Sequence, residues 1–478
     1  MEPILIARQE ECEQLQQCLQ SPRSEFVIVC GRRRIGKTFL IDQFFKNAYD
    51  FSFVGAHKVE TRIQLRNFSK ALRKYSGRKQ EKFADWYDAF DALEEYLETL
   101  PTDRKKVIFI DEMPWIDTQR STFVSALENF WNGWANRRYD IVFIASGSAT
   151  SWMAEHLEEN QGGLHNRITT KLHLKPFTLA ETEEYLQTIG LHDDRYQILQ
   201  CYMFTGGVPF YLSLIDPKLS IAQNIDRLCF REKGKLRNEY DELYNALFTN
   251  ADAYTNIVRA LYGHKDGLTR KEIAAQTNIN GKQLTKILKN LEQCDFINKR
   301  TVFGKKTVIY RLVDFYTLFY YKFMEQNNEL DEQWFTHNMQ HSGVTSWMGL
   351  TYELICMQHH RQIKQALGIS GMATAVYTWR FDGNKRKNQP GAQIDMLIER
   401  ADRMIHLCEM KFSQGTYNVT SDYAVTLRKR MSLFNDVTGN TKALVHTFVT
   451  TFGLGEGKHN SIVHSEITMD DLFCQVKQ

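Results

Sequence analysis

Gly31-Arg32-Arg33-Arg34-Ile35-Gly36-Lys37-Thr38 decides the fold of this chain. It reads G-x-x-x-x-G-K-[ST], the Walker A phosphate loop. The apolar run Phe26-Val27-Ile28-Val29-Cys30 precedes it, and Phe39-Leu40-Ile41 follows. That is the strand, loop and helix order in which the motif carries meaning. Backbone N–H groups from Gly31 through Gly36, with Arg34 and Ile35 between them, would cradle phosphates at a helix N-terminus. Lys37 would reach the β- and γ-phosphates of ATP, and the Thr38 hydroxyl would bind Mg²⁺. The side chains of Arg32, Arg33 and Arg34 either touch phosphate or form a solvated basic loop.

A second stretch answers the first. Lys105-Lys106-Val107-Ile108-Phe109-Ile110 reads as a strand buried on both faces, and it ends in Asp111-Glu112. This is the Walker B arrangement: Asp111 would hold Mg²⁺ and Glu112 would polarise the attacking water. A third strand, Ile141 to Ala145, ends in Ser146-Gly147-Ser148. Ser148 is the candidate sensor of the γ-phosphate, although the stretch alone is an ordinary strand-to-loop turn. Farther on, Gly163-Leu164-His165-Asn166-Arg167 is a loop with one arginine. Arg167 is either a charge-stabilising finger or a surface arginine.

Bulk properties bound the rest. At 478 residues the chain exceeds one ordinary core, and about three domains is the expectation. Its 43% hydrophobic and 24% charged residues are those of a soluble globular protein. A net charge of +3 names no partner by itself. Nine scattered cysteines without a C-x-x-C pair argue against structural zinc and a disulfide framework, and suit a reducing cytoplasm. The first residues lack the basic and apolar regions of a signal peptide, and no apolar run approaches membrane-spanning length. A cytoplasmic protein with no membrane partner is therefore expected.

The string Gly-Arg-Arg-Arg-Ile-Gly-Lys-Thr, then Ile-Asp-Glu-Met-Pro-Trp, Ser-Gly-Ser, Lys-Pro-Phe-Thr and Gly206-Gly207-Val208-Pro209-Phe210-Tyr211-Leu212 resembles the archaeal-type P-loop ATPases of the AAA+/STAND group. The match covers roughly the first half of the chain. The resemblance implies an ATPase core over residues 1–175 and a helical lid over 176–250. It also implies an adenine-side role for Arg8 and a nucleotide-sensing role for Pro209. The group's Gly-Arg-x-x-Glu signature reads Ala7-Arg8-Gln9-Glu10 here, so the glycine is replaced. From residue chemistry alone, Gly207-Val208-Pro209 is a turn.

From Ala251 the pattern changes. Thr269 and Glu272 form a capping box, and Leu284, Ile287, Leu288 and Leu291 make one helical stripe. Lys282, Lys286 and Lys289 share another face. Gly304-Lys305-Lys306 sits between two strand-like runs. Two helices and a basic hairpin over 251–313 spell a winged helix-turn-helix. Residues 265–311 carry eleven Lys/Arg and four Asp/Glu, a local +7. The partner implied is DNA, gripped with little sequence preference; only Gln283 and Asn290 suit a base edge. A solvated face, or a dimerisation or lid module, is the alternative.

Residues 314–478 open with an aromatic segment that resembles the C-terminal domain of the same family, similar to the PD-(D/E)XK nuclease fold. Ile394-Asp395-Met396-Leu397-Ile398 reads as a strand with one carboxylate. Ile405 to Lys411 reads as another, with Glu409 and Lys411 on one face. Asp395 and Glu409 would bind Mg²⁺ and Lys411 would orient water. Glu353 matches the family's first-helix carboxylate. Asn384 to Pro390 is a basic loop suited to a DNA backbone or to solvent.

The sequence thus describes a multidomain α/β protein: a P-loop parallel sheet, a helical lid, a winged helix and a restriction-endonuclease-like domain. Its expected ligands are ATP and Mg²⁺ and its expected partner is DNA. A finger role for Arg167 in trans would require a homo-oligomer. The alternatives are a nucleotide switch or a DNA-binding regulator whose C-terminal domain is a non-catalytic scaffold.

Overall fold

The computed structural model describes residues 5–476, apart from 80–81, 119–120, 149, 159–163, 165, 193, 249, 328–330 and 384–388. Gly163, His165 and most of the basic loop from Asn384 therefore lie outside the described residues. The chain divides into two compact units, Met1–Lys175 with Lys289–Asp295, and Pro176–Leu288 with Phe296–Gln478.

The first unit is built on a parallel five-stranded sheet of order β2-β3-β4-β1-β5. Its strands are β1 (Glu25–Cys30), β2 (Phe51–Val54), β3 (Lys106–Asp111), β4 (Ile141–Gly147) and β5 (Thr170–His173). Every residue of β1, β3 and β4 is buried. Alternation sorts their side chains into two cores. Phe26, Ile28, Ile108 and Ile110 pack with Trp86 and Trp131 on one face. Val27, Val29, Val107 and Phe109 pack with Leu40 and Ile41 on the other. This two-sided burial is why these strands read as unbroken apolar runs. Charges sit only at the ends of these strands: Lys106, fully buried at the start of β3, pairs with Asp140, which Arg138 also holds at 2.8 Å.

The second unit contains two sheets. The small antiparallel one has order β6-β8-β7, from β6 (Leu268–Thr269), β7 (Ile297–Thr301) and β8 (Val308–Leu312). Helices Ala251–Tyr262, Arg270–Thr277 and Gly281–Gln293 accompany it. The Thr269–Glu272 capping box is present. Leu284, Ile287, Leu288 and Leu291 are all buried, as the helical stripe requires.

The larger sheet has order β13-β12-β11-β10-β9. Its strands are β9 (Thr374–Phe381), β10 (Ala392–Arg400), β11 (Met404–Lys411), β12 (Ala443–Thr450) and β13 (Val463–Thr468). The pairs β9/β10 and β10/β11 are antiparallel; β11/β12 and β12/β13 are parallel. The helix Ser421–Thr438 connects β11 to β12 as a crossover between parallel strands. Among the described residues, no helix is long and apolar enough to cross a membrane.

Candidate functional site: a phosphate loop facing two hydrogen-bonded carboxylates

The strand order builds the site. β4 lies between β1 and β3, so its carboxyl end separates the phosphate loop from Asp111. In open parallel sheets, ligands bind beyond the carboxyl ends of the strands. Here those ends carry Gly31, Asp111 and Ser146-Gly147-Ser148.

The loop leaves β1 through Gly31, whose φ is +143°. A Cβ there would sit 2.5 Å from the Leu174 carbonyl oxygen, so only glycine fits. Arg34 at φ 73° and Gly36 at φ 88° complete the turn. Arg32 and Ile35 are buried, and Gly36 caps the helix Lys37–Phe45. Burial removes Arg32 from the solvated-loop reading. Lys37, also buried, donates from Nζ to the carbonyls of Gly31 and Arg32, at 3.1 Å each. Burial lowers its ammonium pKa, an effect opposed by the negative charges of Glu112 and Asp111.

Thr38 Oγ1 donates to Asp111 Oδ2 at 2.8 Å. Ser146 donates to Asp111 Oδ1, as does the Glu112 backbone N–H at 2.9 Å. A hydroxyl beside a carboxylate is an oxygen donor set suited to Mg²⁺, a hard ion that keeps several waters. Glu112 occupies the left-handed region at φ 48°, strain of the kind that collects at functional sites. Its Oε2 accepts from the Ser148 hydroxyl at 2.8 Å and the Ser148 N–H at 3.2 Å. Ser148 therefore holds the candidate base, a role the sensor reading missed. Ser146, which holds Asp111, was visible only as part of a polar strand end.

Arg8, in the left-handed region at φ 65°, donates to the Lys175 carbonyl at 2.7 Å and pairs with Glu11 at 3.3 Å. Arg167 is exposed. Pro209 opens a four-residue helix, Pro209–Leu212, in the second unit. The other edge of the loop carries a pair absent from the sequence reading. His173, at the end of β5 and opposite Cys30, has its Nε2 3.4 Å from Asp295 and its Nδ1 3.5 Å from the Cys30 thiol. Asp295, then Cys30, hold its pKa up to about 9 against burial.

The second candidate site is a cavity of about 750 Å³ in the second unit, with Glu353, Asp395, Glu409 and Lys411 all in its lining. Asp395 lies at a register shift between Ile394 and Leu397, a bulge that re-aims side chains. Gln393 donates to Asp395 at 2.7 Å. Burial, then the neighbouring Asp395, raises the Glu353 carboxyl to about 7. Glu409 is engaged: Arg430 pairs with Oε1, and the Tyr423 hydroxyl donates to Oε2. Lys411 Nζ lies 3.9 Å from Glu409 and 4.7 Å above the Tyr423 ring centre. Among the described residues, no group of three or more His, Cys, Asp or Glu is arranged to hold a metal ion. The expected set Glu353, Asp395 and Glu409 thus shares a cavity without forming a three-ligand centre. The sequence reading had no signal for Arg430 or Tyr423, which lie one helix away.

For the base-edge candidates, Gln283 is exposed but Asn290 is buried and cannot present its amide to a base. Lys282 and Lys286 are exposed, Lys289 half-buried, and Gly304, Lys305 and Lys306 are exposed at the hairpin tip.

Residues 5–215 match the family described as an ATPase domain predominantly from Archaea. An uncharacterized protein of Methanocaldococcus jannaschii is 24% identical over 362 residues, 74% of this chain and 77% of that protein. The Walker-type ATPase of Pyrococcus abyssi is similar at a TM-score of 0.48 and 16% identity, covering 66% of this chain and 95% of that one. The ORC2 protein of Aeropyrum pernix, solved with ADPNP and ADP, is similar at a TM-score of 0.41 and 15% identity, covering 75% of this chain and 96% of that one. The match over residues 5–215 is to an ATPase domain, and the chain is an ATPase.

Proposed function

We propose that this ATPase controls a DNA-engaging second half. In the first unit, Lys37 and the loop N–H groups bind the ATP phosphates. Thr38 and Asp111 would hold Mg²⁺, which neutralises phosphate charge when bound. Glu112, fixed by Ser148, orients and deprotonates the attacking water. Arg34 and Ile35 contribute loop N–H groups, Arg8 lies on the adenine side, and Arg167 acts as a finger on a neighbouring copy. Pro209 transmits nucleotide state through a helical lid.

The DNA half is read from the helices and small sheet of residues 251–313, a winged-helix arrangement with local charge +7. Lys282, Lys286, Lys305 and Lys306 would contact phosphates. One observation supports control by nucleotide: Asp295, two residues beyond the helix Gly281–Gln293, lies beside the strand end that leads into the phosphate loop. Asp295 pairs with His173, whose other nitrogen meets Cys30, next to Gly31. A rearranged phosphate loop thus acts on the end of the lysine-bearing helix.

The test is duplex binding by the full chain with ATP, with ADP and without nucleotide. Glu112→Gln should retain ATP, stop turnover and lock one DNA affinity; Lys37→Ala should lose nucleotide dependence altogether. Lys282→Glu with Lys286→Glu should weaken binding and flatten its salt dependence, by about one unit of log–log slope for each phosphate no longer neutralised. Equal DNA affinity in all nucleotide states defeats the proposal.

DNA cleavage in the C-terminal cavity is the second reading, favoured by the convergence of Glu353, Asp395, Glu409 and Lys411 there. Nicking of plasmid with Mn²⁺, abolished in Lys411→Ala, would support it. A chain that never cuts under any nucleotide leaves the domain as a DNA-binding scaffold.

A further inference from the structure

Two arginines of the β7–β8 hairpin enter the C-terminal fold. Arg300 donates to the Met357 carbonyl at 3.1 Å. Arg311 is buried, with its guanidinium 3.7 Å from Asp395 Oδ1 and 4.0 Å from Glu353 Oε2. Both separations lie beyond hydrogen-bond range, so this is not the bidentate clasp of a structural Arg–carboxylate pair. The guanidinium instead spreads one charge over two carboxylates. Glu353 and Asp395 line the cavity; Arg311 is not among its lining residues.

The consequence is electrostatic. A divalent cation entering the cavity meets a carboxylate pair that already has a neighbouring positive charge, while Glu409 is occupied by Arg430 and Tyr423. We propose that Arg311 is the resident counter-cation of the Glu353–Asp395 pair and keeps divalent metal out of this cavity. The inference rests on the reading of the cavity as a second site.

The carrier of Arg311 is placed to move it. β8 is the middle strand of the small sheet, and its partner β7 continues into Val302, which bridges to Thr378 on β9. The Phe303 N–H donates to the Thr378 carbonyl at 2.8 Å. The exposed tip with Lys305 and Lys306 joins these same two strands. A polyanion bound at the tip acts directly on the strand that bears Arg311.

The experiment measures Mn²⁺ binding by the full chain at about pH 8, where most of the Glu353 carboxyl is ionised. Asp111→Asn serves as background, to silence the phosphate-loop donors. Arg311→Gln should bind one added Mn²⁺ at least ~10-fold more tightly than the parent, the effect of removing a unit charge near a divalent ion even at water's dielectric. Adding Asp395→Asn should erase the gain. A folded Arg311→Gln chain without the gain overturns the proposal. If that variant does not fold, the parent decides: Mn²⁺ bound tightly with Arg311 in place and released in Asp395→Asn overturns it equally, and its absence there supports it. Mn²⁺ uptake by Arg311→Gln without any nicking of plasmid upholds the counter-cation and ends only the cleavage reading.

Discussion

Ser148→Ala separates the sensor role expected from sequence from the positioning role seen in the fold. The Ser148 hydroxyl donates to Glu112 Oε2 at 2.8 Å, and the backbone N–H of the same residue donates at 3.2 Å. A hydrogen bond to a charged group contributes about 1.5–3 kcal/mol. Alanine keeps the backbone bond, so the lower end applies, and ~1.5 kcal/mol is about tenfold in rate. The hydroxyl bond is the side-chain hydrogen bond that Ser148→Ala removes from Glu112. The expected outcome is a kcat for phosphate release about tenfold down, with ATP affinity nearly unchanged. In a Glu112→Gln background the same substitution should cost almost nothing more, because the charged acceptor is gone. A γ-phosphate sensor behaves otherwise: Ser148→Ala would weaken ATP relative to ADP in either background. Native kcat in Ser148→Ala, or equal losses in both backgrounds, refutes the positioning role.

Three further outcomes follow from buried charge. Asp140→Asn strands the fully buried Lys106 ammonium, and losing one partner of a buried pair costs about 3–5 kcal/mol, readable in urea unfolding. Burial alone would raise the Asp140 carboxyl, but bonds from Arg138 and Lys106 lower it to about 2. Its contribution is therefore complete above the ordinary carboxylate range and disappears as pH falls toward 2. Glu353 runs the other way: its carboxyl is raised to about 7, so its ionisation weakens the fold as pH rises from the ordinary Glu value through 7. Glu353→Gln should raise the melting temperature at about pH 8 and leave it unchanged near pH 4. The His173 imidazolium, held to about 9 by Asp295 and Cys30, stabilises the first unit below the ordinary His value and ceases to as pH rises through 9. Asp295→Asn should bring its NMR titration midpoint down toward about 6.5; a midpoint unmoved by the change would exclude the pair.

Local patterns made the first unit legible. The apolar runs at β1 and β3 carried their two-sided burial, and the glycines at 31 and 36 carried a backbone that no other residue fits at Gly31. The capping box at Thr269 announced its helix for the same reason, since all its partners lie within one turn. What stayed hidden is long-range pairing. Ser148 meets Glu112 across 36 positions of sequence, because β4 is inserted between β1 and β3. His173 meets Asp295, and Arg311 meets Asp395, across longer gaps still. No period or spacing rule reports which charge neutralises which.

That difference decides how the two carboxylate sites behave. Asp111 is held through its oxygens by hydroxyls and a backbone N–H, neutral donors, while the Lys37 ammonium acts on it only at longer range. Asp395 and Glu353 share a guanidinium, and Glu409 has another. An Asp followed by Glu-x-Lys on adjacent strands supplies the same oxygens in either case. Whether such oxygens bind a divalent ion depends on the sign of what stands beside them, and in this cavity that sign is set by an arginine from a different sheet. On the reading proposed above, Thr38 and Asp111 would hold Mg²⁺ among neutral donors, whereas the C-terminal trio would become available to a divalent ion only on displacement of Arg311.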